Sequence, residues 1–116
     1  MGFERFTKIG RGYRPKVSIW SRGQIGFNQG AVEKFDLQKY KYVVFFYDKE
    51  NKRIGFKFTN DENEEGISKI SLRKTGTSAS ARSFLGYYSI DHEKTKSYNI
   101  KFDEDSNLYT IELPKD

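Results

Sequence analysis

The sequence predicts a mainly β (α+β) protein: a single-chain β-barrel of two interlocked ββαββ units around a pseudo-two-fold axis, of the swapped-hairpin or double-psi type. Three observations carry this. Side chains that fit a pleated sheet are abundant, with ten Phe, eight Tyr and one Trp against a single Met in 116 residues. Apolar and polar residues alternate over short stretches bounded by turn signals. The pattern of the first half also returns in the second.

The repeat orders the chain. KVSIWSRGQIGFNQGAVEKFDL (16–37) lies over KISLRKTGTSASARSFLGYYSI (69–90) at a constant offset of 53, matching Val17 with Ile70, Ile19 with Leu72, Gly23 with Gly76 and Leu37 with Ile90. After two extra residues the offset becomes 55, and Phe45, Tyr47, Asp48, Phe56 and Phe58 fall on Ile100, Phe102, Asp103, Ile111 and Leu113. The chain then divides into a basic N-terminal arm (1–15), a first unit (16–58), an acidic linker (59–67) and a second unit (68–113), together one domain.

Each element follows from local pattern. Lys16–Trp20 alternates, turning Val17 and Ile19 inward and Lys16, Ser18 and Trp20 outward. A turn at 21–23 leads into a strand over 24–27, and Asn28 caps a short helix with Ala31, Val32 and Phe35 on one stripe. Residues 40–47 form a third strand, with Val43, Phe45 and Tyr47 inward; residues 53–58 form a fourth, with Ile54, Phe56 and Phe58 inward. The second unit repeats this with Ser80 as helix cap, Phe84, Leu85 and Tyr88 as stripe, and Tyr98, Ile100 and Phe102 inward. Four short strands and one helical turn enclose too small a core alone, so the units are expected to interleave and meet through Val17, Ile19, Phe45 and Phe56 against Ile70, Leu72, Ile100 and Ile111.

Composition excludes several functions. With no Cys and one His there is no thiol nucleophile, disulfide framework or two-histidine metal site. Asp61, Glu62, Glu64 and Glu65 lack the glycine and ordered ligands of a calcium loop, and His92 lies in a polar loop, DHEKTK, read as surface. GRGYRP (10–15) leads into a strand and is not a phosphate loop. No apolar run reaches the length of a membrane span, and the N-terminus has charges where a signal peptide needs an apolar centre. The expectation is a cytoplasmic non-enzyme without cofactor, metal, membrane or small-molecule substrate.

The phrases Gly23-Gln24, Ile25-Gly26-Phe27 and Phe35-Asp36-Leu37, followed by YKYVVFFYDKENKRIGFKF, resemble the AbrB/MazE/SpoVT superfamily over residues 16–58 and more weakly over 69–113. The layout of two units in one chain is similar to MraZ-like proteins. The resemblance implies a swapped-hairpin barrel that binds DNA through basic residues near the strand turns, in transcription control or as an antitoxin. The arginine that follows the family's turn glycine is here Gln24 and Thr77, its pre-helix proline is Asn28 and Ala81, and Gln29, Val32 and Glu33 fill the helix positions of its arginines.

Net charge is +5, and residues 1–22 hold six cations against Glu4 alone. The nucleic-acid-binding residues are therefore read as Arg5, Lys8, Arg11 and Arg14 of the arm, with Lys16, Trp20 and Arg22 of the first unit and Lys69, Arg73, Lys74 and Arg82 of the second. Related by a pseudo-dyad, the outward positions 16, 18, 20 and 69, 71, 73 would make two basic stripes, with Trp20 stacking on a base or sugar. The same positions also suit plain solvated strand faces, with Trp20 packed under the arm. On the third strand Tyr42, Val44 and Phe46 form an apolar outward strip where the second unit has Ser97, Asn99 and Lys101. That strip is either covered by helix and arm or joins a second copy in a homodimer. Two functions follow: a small DNA-binding regulator, or a protein-interaction adaptor or self-associating module with no nucleic-acid role.

Overall fold

The structure, a computed structural model, describes residues 2–3, 14–73 and 76–114, residue 73 by its backbone alone. Ten strands and two short helices run in the order β1 (Lys16–Ile19), β2 (Gln24–Asn28), α1 (Gln29–Phe35), β3 (Tyr42–Asp48), β4 (Arg53–Thr59), β5 (Ile67–Lys69), β6 (Ser71–Arg73), β7 (Gly76–Ser80), α2 (Arg82–Tyr87), β8 (Lys96–Asn99), β9 (Lys101–Asp103) and β10 (Leu108–Glu112). Both halves thus run strand, strand, helix, strand, strand, the second with its first and third strands each broken in two.

The strands form two antiparallel sheets, β6-β7-β2-β1-β8 and β5-β3-β4-β10-β9. Each mixes strands from both halves of the chain, so neither half has a sheet of its own. The expected closed barrel is not formed. The ladders are interrupted at Ile70, between β5 and β6, and at Ile100, between β8 and β9. At each point the chain leaves one sheet and enters the other, and at the first corner Ile70 N still donates to the Lys41 carbonyl at 2.9 Å. Both isoleucines are buried, sealing the corners with apolar side chains.

The core lies between the sheets. Val17, Ile19, Ile25 and Phe27 project from the first sheet and Val43, Ile54, Phe56 and Ile111 from the second, all buried. Phe27 meets Phe56 and Phe58 edge-on at 5.2 and 5.3 Å. Such geometry sets the positive ring edge against the negative face. Asn28 caps α1 as expected, accepting from Ala31 N at 2.9 Å, and Ala31 and Val32 face the core. Leu85 of α2 is buried, with Phe84 and Tyr88 packed against the core.

Three core expectations need correction. Leu72 is 62% exposed and Phe102 44% exposed. Alternation assigned both to the inner face, yet each stands on an edge strand, β6 or β9, beyond the reach of the opposite sheet. Phe45 is only partly buried, stacked on Phe84 at 5.2 Å. Ser80 does not cap α2; it stays in β7 opposite Gln24, and Ala81 occupies the cap position. The linker is an ordered turn in which the Asn60 side chain accepts from Lys41 N and donates to Lys39 O, while Lys57 pairs with Glu64 at 2.8 Å.

Candidate nucleic-acid interface

The outer face of the first sheet contains no carboxylate. Its strands β1, β2, β6, β7 and β8 read KVSI, QIGFN, SLR, GTSAS and KSYN. The pairing register sets Ser97, Ser18, Gly26, Ser78 and Ser71 in one row across all five strands. The Ser18 and Ser97 hydroxyls lie 2.9 Å apart, so both point to the same side. One row away, the register aligns Asn99, Lys16, Asn28, Gly76 and Arg73. The face is rich in hydroxyl and amide groups, with Ser71, Ser97 and Asn99 exposed and Gly26 and Ser78 buried at the centre of the row.

Trp20 stands over this face. A Cβ built on Gly26 would lie 2.5 Å from its indole Cη2, so only glycine lets the ring lie this close to the strand. The guanidinium of Arg22 sits 5.0 Å from the Trp20 ring centroid, and its Nε donates to Gln24 at 2.9 Å. That contact fixes a cation beside the ring. Arg82, at the start of α2, donates through Nε to the Arg22 carbonyl at 3.1 Å, bringing a second guanidinium to the same corner. Gly23 at φ +90° makes the turn between β1 and β2, with the Arg82 stem packed where its Cβ would be. A groove of about 130 Å³ runs beside Trp20, with Ser18, Gly26 and Ser78 in its lining.

The residues expected to bind nucleic acid are therefore partly gathered. Lys16, Trp20 and Arg22 belong to this face, Arg82 joins its corner, and Arg14 is tied to its edge because Asn28 Nδ2 donates to the Arg14 carbonyl at 2.8 Å. The expected second stripe is divided. Lys69 pairs in β5 with Tyr42 of the second sheet, whereas Ser71 and Arg73 follow the corner at Ile70 into the first. Lys69 and Arg82 instead border a shared groove of about 560 Å³. Arg5, Lys8, Arg11 and Lys74 lie outside the described residues, as does the side chain of Arg73. The serine row was missed by sequence reasoning, because each strand contributes one member and none is conspicuous alone.

The second sheet's outer face carries the apolar strip. Val44 is 8% exposed, with Gly66 of the linker turn against it, and Tyr42 is half-buried. The cover described there is linker turn rather than helix. Phe46 remains 41% exposed; it and Leu108 close over Gly55. His92 is half-buried rather than free at the surface, its Nδ1 2.9 Å from the Ile90 carbonyl. Among the described residues there is no cluster of three or more His, Cys, Asp or Glu able to hold a metal ion. None of their helices is long and apolar enough to cross a membrane. No protein-family model, curated protein or solved structure matches the chain.

Proposed function

We propose that the protein binds nucleic acid, laying the outer face of the first sheet against a phosphate backbone as an AbrB-like regulator with two units in one chain. The observation that carries this is the absence of any carboxylate from five adjacent strands of a chain with sixteen Asp and Glu. Acids are the groups a polyanion cannot tolerate. The exposed hydroxyls of Ser71 and Ser97 and the exposed amide of Asn99 can donate to phosphate oxygens without adding charge, while Lys16, Arg22 and Arg82 supply the attraction. Trp20 serves chiefly to orient Arg22.

The duplication draws support from the backbone. Among the described residues, the non-glycine positions with positive φ are Asp36 (56°), Lys52 (51°), Ser89 (53°) and Asn107 (59°). Asp36 and Ser89 are 53 residues apart and Lys52 and Asn107 are 55 apart, the offsets of the repeat. Gly23 and Gly76, also at positive φ, are again 53 apart. Left-handed residues are uncommon enough that coincident placement favours one ancestral unit copied twice. Self-association through Tyr42, Val44 and Phe46 has less support, since Phe46 alone of the three is well exposed.

A salt series tests the reading. Binding to a random-sequence duplex should weaken linearly in log Kd against log salt, and Lys16→Ala with Arg22→Ala should lower that slope by about 2. A slope unchanged by the pair, or no binding at low salt, overturns the interface.

A further inference from the structure

One end of the sandwich is filled and the other is hollow. At the filled end Phe35 lies against Tyr109 at 4.5 Å, Tyr109 against Phe58 at 5.5 Å and Phe58 against Tyr40 at 5.9 Å. At the opposite end, past the row Tyr47, Ile54 and Ile111, a cavity of about 280 Å³ opens. By the repeat, Ile54 and Leu113 stand there where Tyr109 and Phe58 stand at the filled end, so the smaller side chains leave the space.

We propose that this cavity binds a small organic anion of the aromatic carboxylate class. Its volume exceeds the roughly 150 Å³ that accepts a benzene ring. Lys52 and Lys96 line it, and neither has an ion pair among the described residues. Tyr47 and Tyr98 also line it, and with Leu113 and Pro114 they give it ring and aliphatic surface for an aromatic group. Among the described lining residues Asp91 is the one carboxylate, so these walls carry two cations against one anion and match a monoanion better than a phosphate dianion. Burial, and secondarily Asp91, push the Tyr98 phenol above its ordinary value, so it stays protonated and able to donate at neutral pH.

Two of the repeat's left-handed turn residues border this cavity. Lys52 occupies a left-handed position at φ 51°, where the corresponding hairpin uses Asn107, a residue that accepts this conformation more readily. Ser89, also left-handed, lines the same cavity.

The test is an NMR titration of the whole chain with benzoate, inorganic phosphate and benzyl alcohol. Benzoate should bind saturably and shift amides around the cavity, more tightly than phosphate or the neutral alcohol. Lys52→Asn, which places at this turn the residue type that the corresponding hairpin has at Asn107, should weaken benzoate roughly two- to fivefold, and Lys96→Gln likewise. Asp91→Asn should tighten it about twofold or more. No saturable binding below about 10 mM, an affinity unchanged in Lys52→Asn, or phosphate binding as tightly as benzoate overturns the assignment.

Discussion

The two sheets share one core but turn different chemistry outward. On the first sheet the outer groups are serine, asparagine and glutamine, with cations at the margins and no ion pair among the described residues involving any of its strands. On the second, Arg53 reaches Asp48 at 3.2 Å and Asp103 at 3.9 Å, Lys57 reaches Glu64, and Lys101 reaches Glu112 at 3.8 Å. Three of its four strand cations, Arg53, Lys57 and Lys101, lie beside acids, and among the described residues Lys69 does not. A net charge of +5 is therefore a poor guide by itself: what matters for a polyanion is which cations have no acid beside them. The contrast is the ground for the proposal that the first sheet, rather than the second, meets a polyanion.

If the difference is confined to the outer faces, damage to the shared inner layer should unfold both sheets together. Phe56 is fully buried and meets Phe27 across the sandwich at 5.2 Å. Phe56→Ala should cost about 3–5 kcal/mol, read as a single cooperative urea transition moved far down. Phe45 is only partly buried, so Phe45→Ala should cost about 2 kcal/mol. Equal losses, or two separate transitions, would mean that the sheets do not rest on one core.

Each outer face also has one glycine under a large side chain, and the lids differ in stiffness. At Gly26 an added Cβ would meet three atoms of the rigid Trp20 indole, at 2.5, 2.9 and 3.2 Å. At Gly55 the nearest atom, 2.8 Å away, is the terminal Cδ1 of Leu108, which rotates aside. Gly26→Ala should cost about 1–3 kcal/mol and quench or shift Trp20 fluorescence as the ring lifts. Gly55→Ala should cost under about 1 kcal/mol. The reverse order would show Trp20 to be the looser lid.

Much of this fold was legible in the chain. The alternation around Val17 and Ile19, the run over 40–47 and the cap at Asn28 are local signals, and each produced its element, the strand of that run lying at Tyr42–Asp48. What was hidden depends on pairing between distant segments. Alternation tells which face Leu72 and Phe102 occupy but not that their strands stand at sheet edges. Nothing in the neighbours of Ile70 or Ile100 marks a corner; the break exists because the chain serves two sheets in succession. The acid-free face is the clearest case. Its strands can be scanned one by one without remark, and only the register assembles them into a surface.

The smallest effect concerns pH, and it separates structural charges from available ones. Asp48 and Asp103 occupy matching places at the starts of the two hairpins. The Asn51 side chain, then its backbone N–H, holds the Asp48 carboxyl below its ordinary 3.8, and Arg53 adds to this. The Ser106 hydroxyl is the main cause of the same shift at Asp103. A carboxyl whose folded value lies below its unfolded value binds fewer protons when folded. Its contribution is complete above the unfolded value and is lost as pH falls through the folded one. Stability should therefore be flat above about pH 5 from this source and should decline below about pH 4. The double variant Asp48→Asn with Asp103→Asn should show a shallower decline, while Lys16→Ala and Arg22→Ala on the first face should leave the profile parallel to that of the parent chain. Thermal midpoints collected from pH 7 downward decide it. A parent profile that coincides with that of the double variant would remove these carboxylates from the second sheet's structure, and with them half of the contrast between the faces.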